Sequence, residues 1–212
     1  CIRDRSKENE RELAPVYLIS FLTQKMLLMA IYERWNEVKV SDAAKQIGVS
    51  TKSASRCFDE LEYLNIDVLG MKGKSRVINI PSDRKQVWQQ IENVLRNPVI
   101  RRFVLREDMK LEKKAGISAL CEYSLLSDNV YPTYAVTKKE LKDSAVKVEK
   151  QVSELEEIGC VVLELGYFID FLGKGFQDPL SVILSLTGEE QEEERVDISI
   201  NEMLEEYVWS KD

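Results

Sequence analysis

The sequence predicts an α+β protein of two parts, because its two halves differ in pattern and a proline-containing break separates them. Residues 13–96 hold four helical patterns and only two strand-like runs, whereas residues 98–212 mix strand-like and helical runs throughout. Asn97 and Pro98 interrupt the helical pattern between them. We therefore expect one domain over residues 1–97 and a second over 98–212.

The two parts also differ in charge. Residues 1–110 carry 20 Lys and Arg against 15 Asp and Glu, a net of +5, whereas residues 111–212 carry 10 against 22, a net of −12. These values agree with the net charge of −7 for the whole chain. Such an asymmetry indicates modules with different partners, and an acidic total does not exclude nucleic acid, since a local basic patch is what meets phosphate.

The composition lowers the expectation of enzyme chemistry. None of the 212 residues is a histidine, which removes Ser–His and Cys–His pairs, the usual base near pH 7 and the commonest zinc ligand. The four cysteines form no C-x-x-C pair, and no run of about 18 uncharged apolar residues is present. We expect a cytoplasmic protein that is not an enzyme, holds no cofactor or metal, and does not enter a membrane.

The first part begins with three helical patterns joined by short connections. Residues 13–35 are densely apolar, which predicts a long helix buried on most sides. A short helix over 41–47 is expected to end at Gly48, which can adopt a left-handed turn. The next helix covers 51–64, with Ser50 as its N-cap.

The helix over 51–64 has one apolar face and one face suited to nucleic acid. Ala54, Phe58 and Leu61 recur at helical spacing and predict the buried face. A helix N-terminus attracts phosphate through its free N–H groups and its dipole, while hydroxyls, Lys and Arg can contact phosphates or base edges. The outward positions at this N-terminus are Ser50, Thr51, Lys52, Ser53, Ser55 and Arg56.

A hairpin with a basic tip follows this helix. Strand-like runs at 66–71 and 75–80 flank Gly73, and a helix over 82–96 comes next. A flexible basic hairpin can reach the minor groove or flanking phosphates. Helix, short helix, glycine turn, helix and basic hairpin is the order of a winged helix-turn-helix. The cations expected at the hairpin are Lys72, Lys74 and Arg76.

Two other interpretations fit the same first part. It could be a small helical hairpin whose polar face has no ligand, or a winged helix that contacts protein. The glycine turn, the capped second helix and the basic hairpin occur together, and this combination favours DNA binding.

The second part predicts a mixed α/β domain for interaction or sensing. Its acidic stretch at 188–194 is expected to be a solvated loop, and helices are expected over 110–126 and 198–209. The strand-like runs are residues 99–108, 131–136, 159–169 and 180–186.

Two family resemblances follow from these stretches. VSDAAKQIGVSTKSASRCFDEL, residues 40–61, resembles the helix-turn-helix of MarR-type winged-helix regulators, and the similarity covers about residues 20–80. RNPVIRRFVL, AGISALCEYSLLSD, YPTYAV and DPLSVILSL resemble segments of bacterial MarR-like regulators. AGISAL followed by a strand is similar, more faintly, to the C-terminal domain of abortive-infection antitoxins. Those antitoxins resemble autorepressors whose partner is a nucleotidyltransferase-like toxin.

The expected function is that of a bacterial sequence-specific DNA-binding transcriptional regulator, a repressor that binds double-stranded DNA as a homodimer. The helix over 13–35 and the C-terminal domain are the two candidate dimer surfaces. One alternative is an antitoxin-like autorepressor whose acidic C-terminal half binds a partner protein. The other is a carboxylate-metal enzyme fused to a winged helix, which would use Glu164, Asp170 and Asp178 near strand ends.

Overall fold

The structure is a computed structural model that describes residues 17–143 and 158–210. Within these ranges the chain forms nine α-helices and two three-stranded sheets. The predicted α+β class is therefore confirmed at this level.

The first part combines four helices with a small antiparallel sheet. The strands lie in the order β1-β3-β2, so that β3 is central and pairs antiparallel with both neighbours. The elements in chain order are α1 (Phe21–Tyr32), β1 (Val38–Lys39), α2 (Val40–Ile47), α3 (Thr51–Tyr63), β2 (Leu69–Lys72), β3 (Ser75–Ile78) and α4 (Arg84–Ile91).

The first helix is shorter than the apolar pattern predicts. It begins only after Ser20, whose side chain accepts a hydrogen bond from the backbone N–H of Thr23 as an N-cap. Residues 17–20 are not helical, although Ile19 is fully buried and donates its backbone N–H to the carbonyl of Val94. Tyr17 and Leu18 are exposed, so the apolar pattern before Ser20 marks neither helix nor continuous burial, and the predicted residues 13–16 lie outside the described ranges.

The turn between α2 and α3 forms as predicted. Gly48 has a left-handed backbone with φ of 71°, which ends α2, and its N–H donates to the carbonyl of Lys45 at 3.2 Å. Ser50 then caps α3 by accepting the backbone N–H of Ser53 at 3.1 Å. These local features fix the angle at which α3 leaves the turn.

The second part contains a mixed sheet of order β4-β6-β5. The central strand β6 pairs antiparallel with β4 and parallel with β5. The elements are β4 (Val99–Leu105), α5 (Gly116–Tyr123), β5 (Thr133–Thr137), α6 (Lys138–Asp143), β6 (Cys160–Leu165), α7 (Pro179–Ser185), α8 (Gly188–Glu192), α9 (Glu194–Met203) and a π-helical turn (Leu204–Trp209).

The predicted strand over 180–186 is wrong, because this segment forms α7. Asp178 caps the helix by accepting the backbone N–H of Ser181, and Pro179 occupies its first turn, where a missing N–H costs nothing. Leu180 and Val182 are fully buried. A short segment buried on most sides is apolar whether it is a helix or a strand, so the pattern could not separate the two.

The predicted acidic loop over 188–194 is also wrong, because it forms α8 and the start of α9. Thr187 and Glu190 make a reciprocal capping box: the Thr187 hydroxyl accepts the backbone N–H of Glu190, while the Glu190 carboxylate accepts that of Thr187. Carboxylates in the first turn also stabilise a helix, because they interact with the positive end of its dipole.

One hydrophobic core spans the predicted domain boundary. The core around α1, α3 and α4 also contains side chains from beyond Pro98, namely Tyr167, Ile169, Leu180 and Val208. Gly166 lies so close to α1 that a Cβ placed on it would lie 2.5 Å from the ring of Phe21. The division at 97 and 98 stays a prediction, and the two parts pack against each other through α1.

Candidate nucleic-acid interface

Helix α3 exposes its polar face because its apolar face is fixed in the core. Ala54, Phe58 and Leu61 are all fully buried, as their spacing predicts. This orientation leaves Thr51, Lys52 and Arg56 exposed. The outward face predicted from the sequence therefore contacts solvent at these three positions.

The first turn of α3 satisfies some of its polar groups internally. The hydroxyls of Ser50 and Ser53 lie 2.9 Å apart, and Ser50 also accepts the backbone N–H of Ser53. The N–H groups of Thr51 and Lys52 precede the first intrahelical hydrogen bond, as at any helix N-terminus. The two serines thus build the cap, while Thr51 and Lys52 present donors next to it.

Charge changes sign along the exposed side of α3. Lys52 and Arg56 form no ion pair within the part of the chain that the structure describes, so both cations face solvent near the N-terminus. Asp59 and Glu62 are exposed toward the C-terminus. An anionic polymer would therefore be attracted to the first two turns of α3 and repelled by the last turns.

The tip of the β2–β3 hairpin carries two exposed lysines. Gly73 has φ of 63°, a left-handed conformation that a glycine adopts without strain. Lys72 forms an ion pair with Glu37, whereas Lys74 has no ion pair among the described residues. Of the two cations at the tip, Lys72 therefore has an acidic partner and Lys74 has none among the described residues.

Arg76 lies against α3 and not at the tip. Its guanidinium donates to Asp59 Oδ1 at 2.6 Å, to Glu62 Oε2 at 3.2 Å and to the Ser55 hydroxyl at 2.9 Å. The hydrogen bond to Asp59 raises the pKa of Arg76 above its ordinary value. The guanidinium also lies 5.7 Å from the ring centre of Phe58. The structure thus brings Ser55 and Arg76 together, and their contact joins α3 to the hairpin.

Comparison of the chain with protein-family models, curated proteins and solved structures found no match.

Glu60 forms a structural contact that the sequence did not indicate. Its carboxylate accepts the backbone N–H of Ser20 at 2.9 Å, the Ser20 hydroxyl at 2.8 Å and the Tyr17 hydroxyl at 3.1 Å, and it also accepts from the Thr23 hydroxyl. Burial raises the pKa of Glu60, but these hydrogen bonds outweigh burial and lower it. Glu60 therefore anchors α3 to the N-terminus of α1. The partners lie about 40 residues away, so no local pattern could reveal them.

The carboxylates considered for a metal enzyme have separate structural partners. Glu164 pairs with Arg101, Asp170 accepts the backbone N–H of Gly175 at 3.0 Å, and Asp178 caps α7. Within residues 17–143 and 158–210, no group of three or more metal-ligating Cys, Asp or Glu side chains converges. No helix in these same ranges is long and apolar enough to cross a membrane.

Proposed function

We propose that this protein is a sequence-specific DNA-binding transcriptional repressor that uses a winged helix-turn-helix. The main support is that the N-terminal half of α3 is exposed and that Lys52 and Arg56 lie there, next to the capped end of the helix. Support also comes from the order α1-β1-α2-α3-β2-β3 and the strand order β1-β3-β2, in which the hairpin follows the presented helix directly.

In this proposal α3 enters the major groove by its N-terminal half. Lys52 and Arg56 can donate to guanine acceptors or phosphates, and the first-turn N–H groups can bind a phosphate oxygen. Asp59 and Glu62 must point away from the nearest phosphates, which orients the helix in the groove. Lys74 at the hairpin tip contacts the flanking backbone.

A single winged helix contacts few base pairs, so we propose that the protein acts as a homodimer on paired half-sites. Such half-sites are centred about 10 base pairs apart, or at a multiple of that distance, so that both copies meet the same face of the duplex. Sedimentation of the protein with and without the selected duplex would test this stoichiometry.

The first test selects binding sequences from a pool of random duplexes and then measures affinity for the enriched sequence between 50 and 200 mM salt. We expect a common motif to emerge. The double variant Lys52→Gln with Arg56→Gln should reduce the slope of log affinity against log salt by about 1.8 per bound protomer, or about 3.6 for a dimer, since each phosphate-contacting cation contributes about 0.9.

The matched control removes the same charge from the second part of the chain. Lys110→Gln with Lys174→Gln changes two exposed lysines that form no ion pair within the described ranges. This control should keep the affinity and slope of the unchanged protein. Equal slopes for the α3 variant and the unchanged protein would overturn the assignment of α3.

The acidity of the second part favours one further candidate function, that of an antitoxin-like autorepressor with a protein partner. Residues 111–212 carry a net charge of −12, and exposed carboxylates lie along α8 and α9. Co-expression with the product of the adjacent gene, followed by size-exclusion chromatography, tests this candidate. Glu194→Gln with Asp197→Asn should then weaken the complex without changing DNA binding.

A further inference from the structure

We propose that Arg76 is a positioning residue that fixes the β2–β3 hairpin against α3, and that Lys74 is the hairpin cation that meets phosphate. This inference rests on the proposed DNA-binding function, and it assigns different roles to two cations that the sequence placed in one group.

The first support is the number of contacts that hold Arg76. Its guanidinium donates to three side chains of α3: Asp59, Glu62 and Ser55. Only 28% of the Arg76 side chain is exposed. A planar guanidinium that makes several hydrogen bonds in a fixed fork is well suited to join two elements at a defined angle.

The second support is the local charge. Arg76 contributes one positive charge, while Asp59 and Glu62 contribute two negative charges within 3.2 Å of it. The cluster is therefore net negative and repels a phosphate. Arg76 would have to leave both carboxylates before it could bind DNA, and both carboxylates would then remain unpaired near the duplex.

The tip lysines have a different environment. Lys74 is exposed and has no ion pair among the described residues. Lys72 pairs with Glu37, and about half of each side chain is exposed, so that a phosphate can replace this carboxylate at little cost. The phosphate contacts of the hairpin therefore come from its tip.

Arg76 and Lys74 should therefore affect different properties of binding, Arg76 its sequence specificity and Lys74 its overall affinity. Arg76 fixes the position of Lys74 relative to the side chains of α3 that contact the groove. Loss of Arg76 should let the hairpin move, which reduces discrimination between the selected sequence and a scrambled one. Loss of Lys74 should weaken binding to both sequences by a similar factor, because phosphate contacts carry no sequence information.

The first experiment compares Arg76→Gln and Lys74→Gln in the salt series described above. We expect Lys74→Gln to lower the salt slope by about 0.9 per bound protomer, as for one lost phosphate contact in each copy, and Arg76→Gln to leave it unchanged. Arg76→Gln should reduce the ratio of affinities for selected and scrambled duplexes at least threefold. A slope that falls by about 0.9 per bound protomer in Arg76→Gln would show that Arg76 itself binds phosphate and would overturn the proposal.

The reciprocal variant removes the carboxylates that hold Arg76. Asp59→Asn with Glu62→Gln should free the guanidinium, so that the salt slope becomes steeper by up to about 0.9 per bound protomer. Adding Arg76→Gln to this background should remove the gain. A slope that does not change on loss of both carboxylates would overturn the claim that they keep Arg76 from DNA.

A measurement without DNA separates this inference from the proposed function. Hydrogen exchange of the backbone amides in β2 and β3 should be at least threefold faster in Arg76→Gln than in Lys74→Gln. Equal exchange in the two variants would overturn the positioning role. If the unchanged protein binds no duplex at 50 mM salt, the proposed function fails, and the exchange rates still decide whether Arg76 holds the hairpin.

Discussion

The Tyr32 hydroxyl donates a 2.5 Å hydrogen bond to Oδ1 of Asp178, across 146 residues of sequence. The same hydroxyl accepts the backbone N–H of Leu180 at 2.9 Å, while Asp178 Oδ1 also accepts the N–H of Ser181 at 3.0 Å. This network joins the C-terminal end of α1 to the N-terminal end of α7. Asp178 is fully buried, and its Oδ2 has no hydrogen-bond partner among the described residues.

This buried carboxyl should make the stability of the protein depend on pH. Burial raises the pKa of Asp178 to about 6, although the hydrogen bonds from Tyr32 and Ser181 act to lower it. Between about pH 4 and pH 6 the unfolded chain has lost this proton and the folded protein retains it. The contribution of Asp178 to the free energy of unfolding therefore falls by about 3 kcal/mol as pH rises through this window.

Asp178→Asn tests this prediction because it keeps an oxygen acceptor and removes the charge. Urea unfolding at pH 4, 5, 6 and 7 should show the variant gaining about 3 kcal/mol relative to the unchanged protein from pH 4 to pH 7. Asp67→Asn, which removes the charge of an exposed carboxylate, is the control. A constant difference between Asp178→Asn and the unchanged protein would contradict the assignment.

Loss of the Gln24 amide should loosen the contact between the two parts. Gln24 is fully buried; its Nε2 donates to the Arg96 carbonyl at 2.9 Å and to the Tyr167 hydroxyl at 2.8 Å, while its Oε1 accepts the Arg96 N–H at 2.9 Å. Gln24→Leu removes these partners from the Arg96 backbone groups, while the Tyr167 hydroxyl keeps the Ser181 hydroxyl at 2.9 Å, so we expect a loss of about 2–4 kcal/mol in the free energy of unfolding. Gln89→Leu, on the exposed side of α4, should cost about 0.5 kcal/mol or less. Equal losses would show that the amide network does not stabilise the contact.

Glu60→Gln should weaken the attachment of α3 to α1 at neutral pH. The hydrogen bonds that lower the pKa of Glu60 stabilise its charged form, so this stabilisation is complete above the ordinary pKa of 4.5 and is lost as pH falls through the lowered value. We expect a loss of about 1 kcal/mol at pH 7, a modest value because solvent screens the half-buried carboxylate. Thermal unfolding over a series from pH 7 downward should show the difference becoming smaller as the carboxylate is protonated. Glu92→Gln, at an exposed position, is the control and should not change the thermal stability at any pH in this series.

Gly48→Ala should destabilise the turn before α3 through the backbone alone. Gly48 has φ of 71°, and an added Cβ would meet nothing within 4 Å. The left-handed conformation costs a residue with a Cβ about 1–2 kcal/mol. Gly188→Ala is the matched control, since its Cβ would also meet nothing and its φ is not left-handed. Chemical denaturation should show the loss only in Gly48→Ala, and equal effects would contradict a conformational origin.

Short-range patterns predicted the region around α3 well. The buried face at Ala54, Phe58 and Leu61, the cap at Ser50 and the turn at Gly48 depend on residues within one or two helical turns of each other. Helix α7 was predicted as a strand because burial on most sides removes the periodicity that separates helix from strand. The role of Arg76 was missed because its partners lie 14 to 21 residues away, on another element.

By itself the sequence determined the α+β class, the glycine turn, the capped helix α3 and the charge difference between the two parts. These features follow from local backbone preferences, from periodicity and from composition. Only the tertiary structure decided that Arg76 faces α3, that Glu60 anchors α1, and that Asp178 is buried beside Tyr32. Such contacts depend on which surfaces the folded chain brings together, and the free energy of a buried charge or hydrogen bond depends on neighbours that are distant in sequence.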